Sequence, residues 1–324
     1  MQKLFQQFNK QNILIIGDVM MDSYLWGSVE RISPEAPVPV VSVRKRENRL
    51  GGAANVVLNV QALGATPIIC AVIGEDKEGE EFLDILCSQN LSTEGIIKLK
   101  SRPTTVKTRV ISQNQQMIRV DAEVDKVISS EESKQLLAVI SGIVNRQKID
   151  AIIFEDYDKG VISEYLIQEV VSLAKSKNII TVVDPKKRNF LNYKGVTLFK
   201  PNLKELREGL KIEVDARNDT ELERAVKTLQ SALECEMVMV TLSERGVYMY
   251  GRQDKKVIPA HIRNIADVSG AGDTVIATTA VCLAAGLDEF TTAAVANLAG
   301  GLVCEYVGVV PINKEELLKE AATL

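Results

Sequence analysis

Asp267-Val268-Ser269-Gly270-Ala271-Gly272-Asp273-Thr274 lies between a strand-like run and a helix of small residues. Gly270 and Gly272 let the backbone turn tightly and leave its N–H groups unobstructed. At a helix N-terminus those orphan donors, together with the helix dipole, favour an anion such as a phosphate. Asp273 falls in the first helical turn, beside that anion. Taken alone, a Gly-rich helix start with an acidic first turn occurs in many folds. The third glycine of a dinucleotide fingerprint is missing, and no Gly-Lys-Ser/Thr phosphate loop occurs in the chain.

Working outward, the stretch from Gly272 to Glu305 is rich in Ala, Val and Leu and suits two helices packed closely on a sheet. Upstream, Ile13–Ile16, Pro67–Ile73, Ala151–Phe154, Ile179–Val183 and Met237–Leu242 read as buried strands. Helical patterns alternate with them: Ala53–Leu63, Glu131–Arg146, Ser163–Lys177 and Thr220–Leu233. The expected class is therefore α/β, a largely parallel central sheet with helices on both faces. Val38–Val43 and Thr104–Val120 are strand-like, mixed with charge, and lack intervening helices. They predict a small antiparallel sheet, a lid built from inserted segments at about 23–48 and 95–122. Its basic residues suit either an anionic substrate or edge strands protected by charge. With no repeat or Pro/Gly-rich linker, residues 1–324 are expected to form one domain.

The chain has 39 basic and 43 acidic residues, a net charge of −4, which speaks against a dedicated nucleic-acid binder. Five scattered cysteines stand at no metal-ligand spacing and suit buried thiols in a reducing compartment. The longest apolar stretch, Val275 to Leu287, is too short for a bilayer span, and the amino terminus has no signal-peptide core. A cytoplasmic protein with no membrane partner is the expectation. A single histidine, His261, excludes any mechanism that needs two; it sits in an apparent strand, Lys256 to Ile262, where a structural role is expected.

The octapeptide resembles the signature of the ribokinase-like carbohydrate kinases. The resemblance implies that Gly270, Ala271 and Gly272 form the anion hole for the transferred phosphate and that Asp273 is the catalytic base. Further matches follow in order along the chain. Gly51-Gly52-Ala53-Ala54-Asn55 resembles the family's Gly-Gly turn before a helix whose Asn contacts the sugar. Gly17-Asp18 and Asp22 resemble its substrate-hydroxyl site, although aspartates after a strand are also ordinary turn residues. Asn202-Leu203-Lys204-Glu205 matches its Asn-x-x-Glu element, which would organise Mg²⁺ through water; the same residues also read as a helix capping box. Thr241-Leu242-Ser243-Glu244-Arg245-Gly246 resembles its nucleotide-side turn, with Ser243 where the family has Gly. By the same resemblance Asp184, Lys186 and Asn297 join the ATP side.

Gly17–Asp22, Trp26-Gly27, Arg31–Val40 and Glu155–Gly160 resemble more closely a branch of that family acting on D-glycero-D-manno-heptose 7-phosphate. That branch phosphorylates the anomeric hydroxyl to give the 1,7-bisphosphate, on the route to ADP-heptose and lipopolysaccharide. Lys107, Arg109 and Lys159 would then join the substrate side. Many such relatives carry an adenylyltransferase as well; with one histidine, that second activity is not expected on this chain. The resemblance further implies a homodimer through the lid strands and possible K⁺ activation. Two other readings stand beside it: a kinase for another phosphosugar (fructose 1-phosphate or tagatose 6-phosphate), and a non-catalytic sugar-phosphate sensor.

Overall fold

The computed structural model describes residues 1–113 and 115–323. Its large sheet has nine strands: β1 (Asn12–Gly17), β4 (Thr66–Gly74), β5 (Gly95–Leu99), β8 (Ala151–Glu155), β9 (Ile180–Asp184), β10 (Leu198–Phe199), β11 (Met237–Thr241), β12 (Val247–Tyr250) and β13 (Lys255–Ile258). A second sheet contains β2 (Val19–Ile32), β3 (Pro39–Gly52), β6 (Val106–Ser112) and β7 (Gln115–Ala122). The helices among the described residues are α1 (Gln2–Phe8), α2 (Ala53–Ala62), α3 (Lys77–Ser88), α4 (Ser130–Arg146), α5 (Glu164–Ser176), α6 (Leu203–Leu210), α7 (Asp219–Leu233), α8 (Ala271–Ala284), α9 (Glu289–Val303) and α10 (Lys314–Ala321), of which α2, α6, α8 and α9 position the site.

Why the central runs become strands is visible in β1. Ile13 and Ile15 point into one apolar core and Leu14 and Ile16 into the other, all four fully buried. A strand covered on both faces needs such an unbroken apolar run, because alternate side chains enter opposite cores. The strand order is β13-β12-β11-β10-β9-β8-β1-β4-β5. Pairs run parallel from β5 through β11 and antiparallel from β11 to β13. After β1 the chain moves one way to β4 and β5, and then returns to place β8 on the other side of β1. That reversal opens a crevice at the carboxyl ends of β1 and β8, where ligands bind in open α/β sheets. Gly17, Glu155 and Asp184 lie there in one register row.

The small sheet has the order β3-β2-β6-β7 and departs from the expected antiparallel arrangement, since β2 and β6 run parallel. Within the segment 95–122, Gly95–Leu99 pairs with β4 in the large sheet, so the small sheet begins only at Val106; Asn114 lies outside the described residues. β13 ends at Ile258, which leaves His261 in an exposed loop and not in a strand. Four cysteines are buried, whereas Cys87 is exposed. Among the described residues no helix is long and apolar enough to cross a membrane.

Candidate active site

Asp273 sits in the first turn of α8 and is buried. The helix is entered through Gly270 at φ 81°, a left-handed conformation that a side chain would strain. A Cβ at Gly270 would stand 3.1 Å from Val309 and 3.2 Å from Asn55 Nδ2. At Gly272 a Cβ would find nothing closer than Asp184 Oδ2 at 3.8 Å, so the helix start is open towards the sheet crevice. Asn55 Nδ2, from α2, donates to Asp273 Oδ2 (2.6 Å), and the Tyr157 hydroxyl donates to Oδ1 (2.8 Å). Burial pushes the Asp273 carboxyl up to about 6, against the pull of those two donors. A carboxyl poised there is ionised at neutral pH yet basic enough to accept a proton.

On one side of Asp273 lies a cavity of about 400 Å³, lined by Asp22, Tyr24, Arg49, Asn55 and Val309 among others. Asp22 is reached by Arg109 Nη1 at 2.5 Å, and the guanidiniums of Arg49 and Arg109 lie over the Tyr24 ring at 5.0 and 5.4 Å. A side chain at Gly51 would overlap the Asp22 carboxylate, and one at Gly52 (φ 61°) the Asp18 carbonyl. The two glycines thus serve close backbone packing. Asn55 Oδ1 is buried and has no partner among the described residues, which leaves an acceptor for a ligand hydroxyl. Lys107 is in register with Asp22 but does not line the cavity.

On the other side are the carboxyl ends of β8, β9 and β10. Lys200 Nζ is 2.8 Å from Asp184 Oδ2, and Lys186 Nζ lies 2.7 Å from Glu205 Oε1 and 3.7 Å from Asp184 Oδ1. Burial works against both ammonium groups, but Asp184 and Glu205 outweigh it and hold both pKa values above the usual lysine range. Lys186, whose side chain stays about one third exposed, is the cation open to a polyphosphate beside the helix start, whereas Lys200 is buried against Asp184. Asn202 and Glu205 form the capping box of α6, so that reading of the motif also holds. Glu205 accepts from Lys186 with one oxygen and from Asn202 N (2.8 Å) with the other, leaving lone pairs for water. Among the described residues no group of three or more His, Cys, Asp and Glu is arranged to hold a metal. One carboxylate, Glu205, beside Asn202 is a donor set that suits an ion held mostly by phosphate oxygens and water.

Thr241 is bridged to Asn202 at the end of β11, and Gly246 (φ 85°) closes the turn that follows. Ser243 adopts φ 54°, which explains why a glycine suits that position. Asn297, on α9, donates to Pro259 O (2.9 Å) just beyond β13.

Like Lys107, two other residues expected on the substrate side are engaged outside the cavity. Asp18 is turned inward: its carboxylate accepts the backbone N–H groups of Tyr157, Lys159 and Val161 at 2.9, 3.2 and 3.0 Å, so it holds a loop and does not face the cavity. Lys159 is paired with Glu123 at 2.6 Å and does not line the cavity. Tyr157 and Glu155, which lie in the stretch Glu155–Gly160 quoted above without a role, join the site together with Lys200, Arg49 and Tyr24, which no short motif marked. The acidic residue that ends each apolar run, Ala151–Glu155 and Ile180–Asp184, was the available signal for Glu155.

Residues 10–316 match the pfkB family of carbohydrate kinases. The chain belongs to that family. Phosphoryl transfer to a sugar is accordingly its class of chemistry. It is 42% identical over 308 residues to a bifunctional protein HldE of Methylobacillus flagellatus, covering 95% of this chain and 62% of that protein. It is 38% identical over 307 residues to an HldE of Helicobacter pylori, with 95% and 65% covered. The chain thus spans just under two thirds of the length of these curated relatives. The fold is ribokinase-like. Escherichia coli phosphofructokinase-2 in complex with potassium superposes with a TM-score of 0.77 at 18% identity over 97% of this chain and 98% of that one. Arabidopsis thaliana ribokinase complexed with ribose and ATP gives 0.73 at 16%, over 96% and 98%.

Proposed function

We propose that the chain transfers the γ-phosphate of ATP to the anomeric hydroxyl of D-glycero-D-manno-heptose 7-phosphate. The observation that carries this reading is Asp273, seated between an anion-binding helix start and a cavity lined by Asp22, Asn55 and Arg49, with Arg109 paired to Asp22. The sugar hydroxyl approaches the γ-phosphorus from the cavity and gives its proton to Asp273. The new O–P bond forms as the bond to ADP breaks, and the backbone N–H groups of Gly270–Gly272 hold the charge on the equatorial oxygens. Lys186 holds the polyphosphate, and Lys200 behind it neutralises Asp184. Mg²⁺, held through water near Asn202 and Glu205, would neutralise phosphate charge. Arg49 and Arg109 give the substrate's own phosphate its counter-charge.

The HldE relatives, about 40% identical along nearly the whole chain, favour a heptose phosphate over other sugars. Cytoplasmic placement and a place on the route to ADP-heptose follow from the same reading. So does a homodimer through the lid, where β7 exposes Met117, Ile118 and Val120; a monomer by light scattering would remove that part. Activation by K⁺ would act where Asp267 Oδ2 accepts Gly308 N (3.0 Å), behind the anion-binding loop. Equal rates in potassium and in a large organic cation would exclude it.

The deciding assay couples ADP release to heptose 7-phosphate, ribose, fructose 6-phosphate, fructose 1-phosphate and tagatose 6-phosphate in parallel. Turnover highest with the heptose phosphate supports the reading. Preference for another sugar phosphate reassigns the substrate, and no turnover with any of them points to a sensor.

A further inference from the structure

The Tyr157 hydroxyl ends 2.8 Å from Asp273 Oδ1, at a catalytic aspartate that has, among the described residues, only one other side-chain donor, Asn55. Its loop is not free to drift. Asp18 grips the backbone N–H groups of residues 157, 159 and 161, and Asp158 and Gly160 take left-handed φ values of 57° and 87° that turn the chain around that carboxylate. The Tyr157 ring also packs under Lys186, whose Nζ is 5.6 Å from its centroid, so one side chain touches both the base and a polyphosphate-binding cation. We propose that Tyr157 is a positioning residue, fixing the rotamer of Asp273 and keeping its carboxylate ionised through the phenolic hydrogen bond. The proposal rests on the kinase reading for the role of Asp273, but the hydrogen bond and its effect exist without substrate.

The charges around Asp273 show why a donor is needed. From β8 comes Glu155, from β9 Asp184, and beyond β10 Lys200, while Lys186 stands past Tyr157. Glu155 and Asp184 oppose ionisation of Asp273 and Lys200 favours it. Two neutral donors, Asn55 and Tyr157, add to the favourable side without bringing a charge that would compete for the transferred phosphate. The phenol stays protonated throughout: once Asp273 has taken the sugar's proton, Tyr157 retains its own, since burial and the facing carboxylates hold its pKa well above the usual tyrosine range.

The test is Tyr157→Phe, which deletes the hydroxyl alone, followed by replacement of Tyr157 with 3-fluorotyrosine, a stronger donor of nearly the same shape. The first readout is the carboxyl ¹³C resonance of Asp273 in the ligand-free protein, assigned by its loss in Asp273→Asn. Its titration midpoint should rise by about one pH unit in Tyr157→Phe, the scale of a hydrogen bond to a charged group. It should fall with 3-fluorotyrosine. The second readout is the acid limb of kcat, which should move in the same directions while both KM values stay within a few-fold. A midpoint that does not move in either variant overturns the proposal; if Tyr157→Phe does not fold, the fluorotyrosine protein decides it. Failure of all sugar phosphates as substrates would refute the kinase reading, and the carboxyl titration would still judge Tyr157.

Discussion

At the scale of single residues, Asp273 makes the sharpest commitment. Asp273→Asn keeps the side-chain shape and the backbone N–H groups, so both substrates should still bind within a few-fold. The turnover number should fall by at least about 10²-fold, the usual contribution of a positioned base. In the wild type the rate should drop on the acid side with a midpoint near 6, because the proton acceptor is lost below that value. Near-normal turnover in folded Asp273→Asn would leave it as a helix-start residue, since Asn serves a helix terminus about as well as Asp. Arg49→Ala and Arg109→Ala should raise the KM for the sugar phosphate by about tenfold each, the worth of a charge-assisted contact, with smaller effects on ATP. Unchanged sugar KM in both would place the substrate's phosphate elsewhere. Asp273 and Asn55 are legible in the sequence because their roles come from local backbone geometry, a Gly-rich helix start and a Gly-Gly turn. Tyr157, Glu155 and Lys200 are not, because they meet Asp273 only through strand order and register. Asp18 shows the converse: it carries the right residue type after the right strand, yet the loop it grips consumes its carboxylate.

At the scale of elements, the start of α8 separates two functions that the sequence merges in Gly-Ala-Gly. Gly270 is needed for shape, as its φ of 81° and the nearby Val309 and Asn55 show. Gly272 is needed for openness, since a Cβ there meets only Asp184 Oδ2, at 3.8 Å. Gly270→Ala should cost roughly 1–2 kcal/mol of stability, the penalty for a left-handed side-chain-bearing residue, and displace Asn55 from Asp273. Gly272→Ala should leave the melting temperature unchanged or slightly higher, because Ala favours a helix. It should nevertheless weaken ATP use, because its methyl group stands where the phosphate approaches the N–H groups. Thermal unfolding beside ATP kinetics checks the pair; equal loss of stability in both variants would undo the distinction. The parallel strands β1, β4, β8, β9 and β11 were readable as apolar runs because both faces are buried, whereas β5, only partly buried, was expected in the lid. β2 and β3 were harder to delimit: each is 14 residues long, with one end in the protein body and the other exposed, so no single periodicity runs through them. β10, two residues long, offers no pattern to read.

At the scale of the whole molecule, the crevice concentrates carboxyl groups that the fold makes harder to ionise. Burial raises Asp18 and Glu155 above their ordinary range, and raises Asp156 and Asp273 to about 6. Each of these groups holds its proton more tightly in the native chain than in the unfolded one. Between the ordinary carboxylate value and the raised one, the native state therefore binds more protons, and stability falls as pH rises. The contribution is fully present below the unfolded value, 3.8 for an aspartate, and is lost as pH climbs through about 6. Asp273→Asn removes one such group. The new amide can be accommodated, because Asn55 Oδ1 has no partner and can accept from it once the Asn55 amide turns over. At about pH 7.5 the variant should therefore melt a few degrees above the wild type, while losing turnover. Near pH 4 the wild-type carboxyl is itself mostly protonated, and the gap should close. Melting curves of the ligand-free proteins across that range check the sign. A gap that is absent at neutral pH, or equally large in acid, would mean that the Asp273 carboxylate is not destabilised by its burial, and the poised base would lose its physical basis.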